Sequence, residues 1–230
     1  MKNVAIIAAG GSGRRMGAKI SKQYLLLSGM PILTHTLSKF EEAVTINNTI
    51  LVVPFDDIGY VKREIVDKYR ISKVTDIIAG GKERQDSVRN GLDIIGSDSE
   101  IVIIHDGARP FVTSKLIDIS VERALEEGAV TLGVPVKDTV KSIDGMCIIK
   151  ETLARDALWL TQTPQAFRRE IINKAYKQAY KDNYSGTDDS CLVERIGVKV
   201  KMIAGSYDNI KITTEDDLVF GETLLRKSEI

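Results

Sequence analysis

An α/β fold is what this sequence predicts: a mostly parallel sheet flanked by helices, with a protruding β-hairpin arm. Two observations carry the body of the fold. Through the first 135 residues, short β-rich apolar runs alternate with longer amphipathic stretches, the pattern of β-α units. The first of those runs opens directly into a glycine-rich loop. A third observation carries the arm: after Pro135 the rhythm changes to two short segments around Asp144-Gly145, a strong hairpin signal.

The strand expectations are Val4 to Ala8, Thr49 to Val53, Val74 to Ile78, Ile101 to His105 and Val130 to Val134, each a short run rich in Val and Ile. Helices fall between them. Pro31 suits the first turn of a helix running to Phe40, and Asp56 or Asp57 can start another reaching Tyr69. Asp86 or Ser87 starts a third that ends near Gly96. Ser114 caps a fourth, whose apolar positions keep to one side until Gly128. The segment Val136 to Glu151 forms the hairpin. Neither Lys141 nor Lys150 suits a buried sheet, so this ribbon is expected to leave the body. An isolated two-stranded ribbon is marginal in water and needs something to pack on, most simply a second subunit. The chain returns through Trp159 to Pro164 and continues into a helix over Glu170 to Lys181, a polar loop, and a helix beginning near Thr187. A strand over Lys199 to Ala204 follows. The last helix opens with Thr214-Glu215-Asp216-Asp217, a cap followed by acids that suit the positive end of its dipole.

A chain of 230 residues can bury a sizeable core. Its 32 basic and 32 acidic residues cancel, which argues against a general nucleic-acid binder. Cys147 and Cys191 are far apart and form no C-x-x-C pair, so neither a disulfide framework nor a zinc site is indicated. The first apolar run is too short for a signal segment, and nothing later approaches the roughly 20 apolar residues of a membrane span. These features predict a cytoplasmic protein without membrane or nucleic-acid partners.

Charge is distributed unevenly. The first forty residues hold six Lys or Arg and no acid, and four of those cations, Arg14, Arg15, Lys19 and Lys22, follow Gly10-Gly11-Ser12-Gly13 within ten residues. Glycines let a backbone bring its N–H groups close to an anion. A dinucleotide fingerprint would need a third glycine where Met16 stands, and no register supplies Gly-Lys-Ser/Thr for a P-loop. What remains is a glycine loop carrying arginines, fit for a triphosphate. Further loops fall where strands should end, the edge at which open α/β sheets bind ligands. They are Gly80-Gly81-Lys82-Glu83-Arg84-Gln85-Asp86-Ser87 and His105-Asp106-Gly107-Ala108-Arg109-Pro110, with Lys211 before the last helix. An internal Asp106 to Arg109 ion pair is a competing reading of the second loop. His35 and His105 are the only histidines, so His-cluster metal sites and Ser-His-Asp chemistry lack material. Joining a phosphate monoester to a nucleoside triphosphate needs no base, because the monoester's second pKa is near ~6. Alignment and charge neutralisation suffice.

These motifs, with Lys22-Gln23-Tyr24-Leu25, Val134-Pro135-Val136-Lys137-Asp138-Thr139, Arg155 before Leu158-Trp159, Gln162-Thr163-Pro164-Gln165-Ala166-Phe167, Gly186-Thr187-Asp188-Asp189 and Asp208-Asn209-Ile210-Lys211, occur in an order that resembles the 2-C-methyl-D-erythritol 4-phosphate cytidylyltransferase family nearly end to end. The resemblance implies a Rossmann-like domain of the nucleotide-diphospho-sugar transferase type over residues 1–230, with residues 136–152 as a dimerisation arm. It implies CTP as co-substrate, Mg²⁺ bridging the triphosphate, and a polyol phosphate as acceptor. Arg15 and Lys22 would stabilise charge at the α-phosphate, and Ala9, Gly10, Gly11 and Gly13 would hold the triphosphate. Gly81 and Ser87 would lie beside the cytosine. Asp106, Thr163, Thr187 and Lys211 would contact the acceptor, while Arg109, Thr139 and Arg155 would complete the neighbouring subunit's site in a homodimer. The metal ligands stay unassigned. Ser21 stands where the family usually has proline, and Gly10 where it often has alanine. The second departure keeps ribitol 5-phosphate open as acceptor, and a nucleotide-binding protein without catalysis is the remoter alternative.

Overall fold

The computed structural model describes residues 1–10 and 21–228. In chain order its elements are β1 (Lys2–Ala8), β2 (Leu26–Leu27), β3 (Met30–Pro31), α1 (Ile32–Glu42), β4 (Asn48–Val53), α2 (Ile58–Val61), β5 (Val74–Ala79), α3 (Arg84–Asp93), β6 (Ser99–Asp106), α4 (Ser114–Glu127) and β7 (Ala129–Pro135). Then come β8 (Lys141–Ile143), β9 (Ile149–Thr152), β10 (Trp159–Arg168), α5 (Arg169–Lys181), α6 (Asp189–Arg195), β11 (Lys201–Ala204) and α7 (Glu215–Ser228). A seven-stranded sheet runs in the order β11-β7-β10-β6-β1-β4-β5. Its neighbours are parallel except around β10, which is antiparallel to both β6 and β7.

The period of two in the strand sequences divides the core. On β1, Ala5 and Ile7 face one layer with Leu33, Leu37 and Phe40 of α1 and Ile117, Val121 and Ala124 of α4. Val4 and Ile6 face the other, with Val88 and Leu92 of α3, Ile172 and Tyr176 of α5, and Leu192 and Val193 of α6. Both faces of the sheet are therefore covered, which is why its strands read as continuous apolar runs. Each fully buried Ile, Leu or Phe contributes about 1.5–3 kcal/mol. A third, smaller cluster of Leu27, Ile32 and Ile212 with Phe111 and Leu218 docks α7 beside the β2–β3 turn.

Four elements differ from the sequence expectation. The helix expected to reach Tyr69 is α-helical only over α2 and continues as a π-helix over Lys62–Asp67. Helix α4 is capped by Thr113 rather than Ser114, the Thr113 hydroxyl oxygen accepting from the Leu116 N–H at 3.2 Å. Helix α3 starts at Arg84 rather than Asp86 or Ser87, because the Asp86 carboxylate reaches back to accept from the Glu83 N–H at 3.1 Å. The Trp159–Arg168 segment, to which the sequence reading assigns no element, is a central strand despite containing a proline. Pairing with β7 skips from Gln162 to Gln165, so Thr163 and Pro164, joined by a cis bond, sit in a bulge where no ladder N–H is required. The hairpin forms as expected, β8 with β9, apart from the main sheet and exposed. Its turn spans residues 144–148, where Asp144 Oδ1 accepts from the N–H groups of Met146 and Ile148. No helix of the described residues is long and apolar enough to cross a membrane.

The backbone of α3 lies directly on β1. A side chain at Gly91 would bring its Cβ to 2.9 Å from Ile6 Cγ2, and Ile6 is fully buried. Gly91→Val is therefore expected to destabilise the protein by about 1–3 kcal/mol, read as a lower midpoint in urea unfolding. An unchanged midpoint would mean that α3 can lift from the sheet without loss.

Candidate active site

The parallel strands all point their carboxyl ends to one edge, and the chemistry-bearing loops leave from there. Ala9 and Gly10 follow β1, Gly80 to Glu83 follow β5, Asp106 ends β6, and Asn209 and Lys211 lie in the connection after β11. This is the crevice expected of an open α/β sheet, with β1 as the point where the strand order diverges to β4 on one side and β6 on the other.

Two cavities occupy that edge. The first, about 550 Å³, is lined by Ala8, Ala9 and Gly10, by Lys22 and Gln23, and by Gly81 to Arg84 with Ser87. The Gln23 amide donates to the Ala9 carbonyl at 2.8 Å and so ties the turn bearing Lys22 to the exit of β1. Gly81 is required by a close approach: a Cβ there would stand 2.2 Å from Asp86 Cβ. Its N–H donates to Ser87 Oγ at 3.1 Å, which in turn donates to the Glu83 carbonyl at 3.0 Å, so the loop is folded against the first turn of α3. The second cavity, about 320 Å³, is lined by Arg109, Thr161 to Thr163, Gln165, Thr187 and Asp188. Arg84, Asp106 and Lys211 line both, and form the wall between them.

That wall is an ion cluster around one buried carboxylate. Asp106 Oδ1 accepts from Arg84 Nε at 2.9 Å, and Oδ2 lies 2.6 Å from Lys211 Nζ and 3.8 Å from Arg109 Nε. Burial alone would raise the Asp106 carboxyl, but Arg84, Lys211 and Arg109 outweigh it and hold the group well below the usual carboxylate range. The internal pair with Arg109 thus exists, yet it is the longest of the three contacts. Arg109 is itself anchored through Nη1 to the Asn209 carbonyl at 2.8 Å. The β10 bulge contributes to the same wall. Thr163 Oγ1 accepts from the Asp106 N–H at 3.1 Å, and the Thr163 carbonyl accepts from Asn209 Nδ2 at 2.9 Å.

Of the residues singled out from sequence, Ala9, Gly10, Lys22, Gly81 and Ser87 line the first cavity, Arg109, Thr163 and Thr187 the second, and Asp106 and Lys211 both. Arg109, grouped by resemblance with a neighbour's site, lines the cavity of its own chain. Thr139 and Arg155 are exposed and line neither cavity, and Arg155 Nη1 donates to the Lys137 carbonyl at 2.9 Å. Gly11, Gly13 and Arg15 lie outside the described residues, as do Arg14 and Lys19. Arg84 and Asp189 have no assigned role in the sequence reading, although Arg84 Nη2 donates to Asp189 Oδ2 at 2.8 Å. Nothing local joins two residues 105 positions apart.

Neither histidine reaches the cavities. His35 bonds the Leu27 carbonyl through Nε2 at 2.8 Å. His105 is fully buried behind Asp106, its Nε2 3.1 Å from the Arg109 carbonyl, and burial pushes its pKa down to about 3. Among the described residues no group of three His, Cys, Asp or Glu could hold a metal. Both Asp106 oxygens already face cations.

A model of a protein family described as 2-C-methyl-D-erythritol 4-phosphate cytidylyltransferase matches residues 3–227. A Syntrophus aciditrophicus protein with that name is 50% identical over 228 residues, spanning 99% of this chain and 97% of its own. One from Clostridium novyi is 47% identical over 224 residues, 97% of this chain and 96% of its own. Among solved structures, 4-diphosphocytidyl-2C-methyl-D-erythritol synthase from Anaerococcus prevotii superposes with a TM-score of 0.87 at 34% identity, covering 98% of this chain and 96% of that one. The Thermus thermophilus 2-C-methyl-D-erythritol 4-phosphate cytidylyltransferase gives 0.80 at 29% identity, with 98% and 100% covered.

The depressed His105 has a consequence for stability. Unfolded, the imidazole takes up a proton near its ordinary 6.5; folded, it does so only near about 3. Between those values the unfolded state binds more protons, so stability is full above the window and falls with falling pH, by up to about 1.4 kcal/mol per pH unit from this group. His105→Gln should flatten the pH dependence of the unfolding free energy over the upper part of that window. An unchanged slope would show that His105 contributes none of it.

Proposed function

The chain belongs to the 2-C-methyl-D-erythritol 4-phosphate cytidylyltransferase family, and on that premise we propose how its residues divide the reaction. The enzyme is a nucleotidyltransferase. It transfers the cytidylyl group of CTP to 2-C-methyl-D-erythritol 4-phosphate, giving 4-diphosphocytidyl-2-C-methyl-D-erythritol and pyrophosphate in non-mevalonate isoprenoid biosynthesis. The acceptor is the methylerythritol rather than the ribitol phosphate.

The division of labour follows from the two cavities and the charged wall they share, the observation that carries it. The larger takes CTP, with the Gly10 to Gly13 backbone on the triphosphate and Gly81 and Ser87 beside the base. The smaller takes the acceptor, whose phosphate meets Lys211 and Arg109 while Thr163 and Thr187 hold the polyol. An acceptor phosphate oxygen attacks the α-phosphorus, a new P–O bond forms, and the bond to the β-phosphate oxygen breaks, releasing pyrophosphate. No proton changes hands, because the attacking oxygen is already anionic near neutral pH. Two histidines kept out of both cavities are consistent with that. Arg15 and Lys22 neutralise the charge that grows on the α-phosphate in the transition state. Mg²⁺ would enter with the triphosphate as part of the substrate and offset its charge.

The arm is proposed to make the enzyme a homodimer. Ile143, Met146, Ile148 and Ile149 are each more than half exposed, with Trp159 and Leu160 at its base also exposed, more apolar surface than an isolated ribbon should leave in water. Thr139 and Arg155 then serve the neighbour's acceptor cavity. A cytoplasmic location belongs to the same reading.

Purified protein supplied with Mg²⁺ and CTP should release pyrophosphate with methylerythritol phosphate and far less with ribitol phosphate; release with neither would end the reading. Lys22→Ala is expected to lower kcat by about 100-fold or more with a modest change in CTP affinity, the pattern of an interaction felt mainly in the transition state. A large affinity loss at unchanged kcat would make Lys22 a ground-state anchor. Arg155→Ala and Lys22→Ala subunits, each inactive alone, should regain activity when mixed, since a mixed dimer then holds one intact site. No recovery in mixed dimers would place Arg155 in its own chain's site.

A further inference from the structure

Asp189 is a carboxylate that the transfer, as derived, does not use. It opens α6 and is 1% exposed, yet it contacts neither cavity directly. Oδ2 accepts from Arg84 Nη2 at 2.8 Å and Oδ1 from the Tyr176 hydroxyl at 2.6 Å. Its backbone is clamped as firmly as its side chain. The N–H groups of Asp189 and Ser190 donate to Gln165 Oε1 at 3.1 and 3.0 Å, and Gln165 Nε2 donates to Asp188 Oδ2 at 2.9 Å. Gln165 is fully buried on β10, so the sheet itself sets where Asp189 stands.

The other side of Arg84 is bound too, through Nε to Asp106 Oδ1 at 2.9 Å. A continuous polar chain therefore runs from Tyr176 on α5 through Asp189, Arg84 and Asp106 to Lys211. A buried ion pair is poor value as a stabilising device, because desolvation cancels most of its attraction. Two fixed carboxylates on one guanidinium do something different: they set its position and the plane of its fork. The Arg84 side chain is 30% exposed and lines both cavities, so an Arg84 held by Asp106 alone could turn onto whichever phosphate enters. It could also draw Asp106 away from Lys211.

We propose that Asp189, held by Tyr176 and Gln165, is a positioning residue that locks Arg84 in the wall between the cavities and thereby places Asp106 and Lys211 for the transfer. The proposal rests on the cytidylyltransfer reading of the site. Asp189→Asn keeps the shape and removes the charge, and Tyr176→Phe removes only the hydroxyl that holds the carboxylate. With CTP saturating, Asp189→Asn is expected to lower kcat/KM for methylerythritol phosphate by about 10- to 100-fold, the scale of a small misplacement of reacting groups. Tyr176→Phe should act in the same direction and less. KM for CTP should move little in either. In an Arg84→Gln background, Asp189→Asn or Tyr176→Phe should add no further loss.

A purely architectural Asp189 would lower the melting temperature and leave the kinetic constants of the folded enzyme untouched. That result in both single variants would overturn the proposal, and so would losses that multiply in the Arg84→Gln background. If Asp189→Asn does not fold, Tyr176→Phe alone and combined with Arg84→Gln decides the matter by the same criteria. Wild-type pyrophosphate release tests the reaction, and variant-to-wild-type ratios test Asp189, so the two failures are distinguishable.

Discussion

One buried carboxylate organises the functional edge of this protein. Asp106 ends the central strand β6 with its side chain only 9% exposed, and it stays ionised because cations from three parts of the chain converge on it. Arg84 comes from the start of α3, Arg109 from the loop after β6, and Lys211 from the connection after β11. An unpaired charge at that depth would be prohibitive, and removing one partner of a buried ion cluster is among the costlier changes a protein can suffer. The requirement that Asp106 be neutralised therefore pulls together segments more than a hundred residues apart. The same requirement leaves several positive groups facing the two cavities.

The sheet topology makes that convergence possible. Because β1, β4, β5, β6, β7 and β11 run in one direction, each delivers its following loop to the same edge. Strand β10 enters from the opposite direction between β6 and β7, and its bulge at Thr163 and Pro164 falls level with the end of β6. A regular strand would spend the Thr163 carbonyl on the ladder. Here it binds Asn209, and the Thr163 hydroxyl binds the Asp106 N–H. A bulge next to an active site re-aims groups that regular pairing would consume.

The histidines show the chemistry from the other side. His105 sits beside Asp106 but is sealed under it and kept neutral, while His35 holds the β2–β3 turn. The reaction asks for charge placed with accuracy, and not for a proton acceptor. The Asp189–Arg84 arm of the network belongs to the same logic, since an arginine is useful to a phosphoryl transfer only in so far as its fork is held still.

Local pattern alone determined much of this protein. Apolar runs located β1, β4, β5, β6 and β7: all but the edge strand β5 are buried on both faces, and their composition says so. Asp144-Gly145 marked the hairpin, and the Gly-rich and Asp-Arg loops marked the functional edge, because turn chemistry and anion binding are properties of a few adjacent residues. The ordered set of motifs was enough for the family. Only the tertiary structure decided that Trp159–Arg168 is a central antiparallel strand, because Gln165 and Thr163 are satisfied by Thr131, Asp188 and Asn209 from other parts of the chain, and Pro164 falls in the bulge. It alone decided that Arg84 spans Asp106 and Asp189, and that Arg109 lines a cavity of its own chain. Ion pairs across such separations leave no periodicity or spacing in a sequence, for they exist only once the sheet has brought its strand ends to one edge.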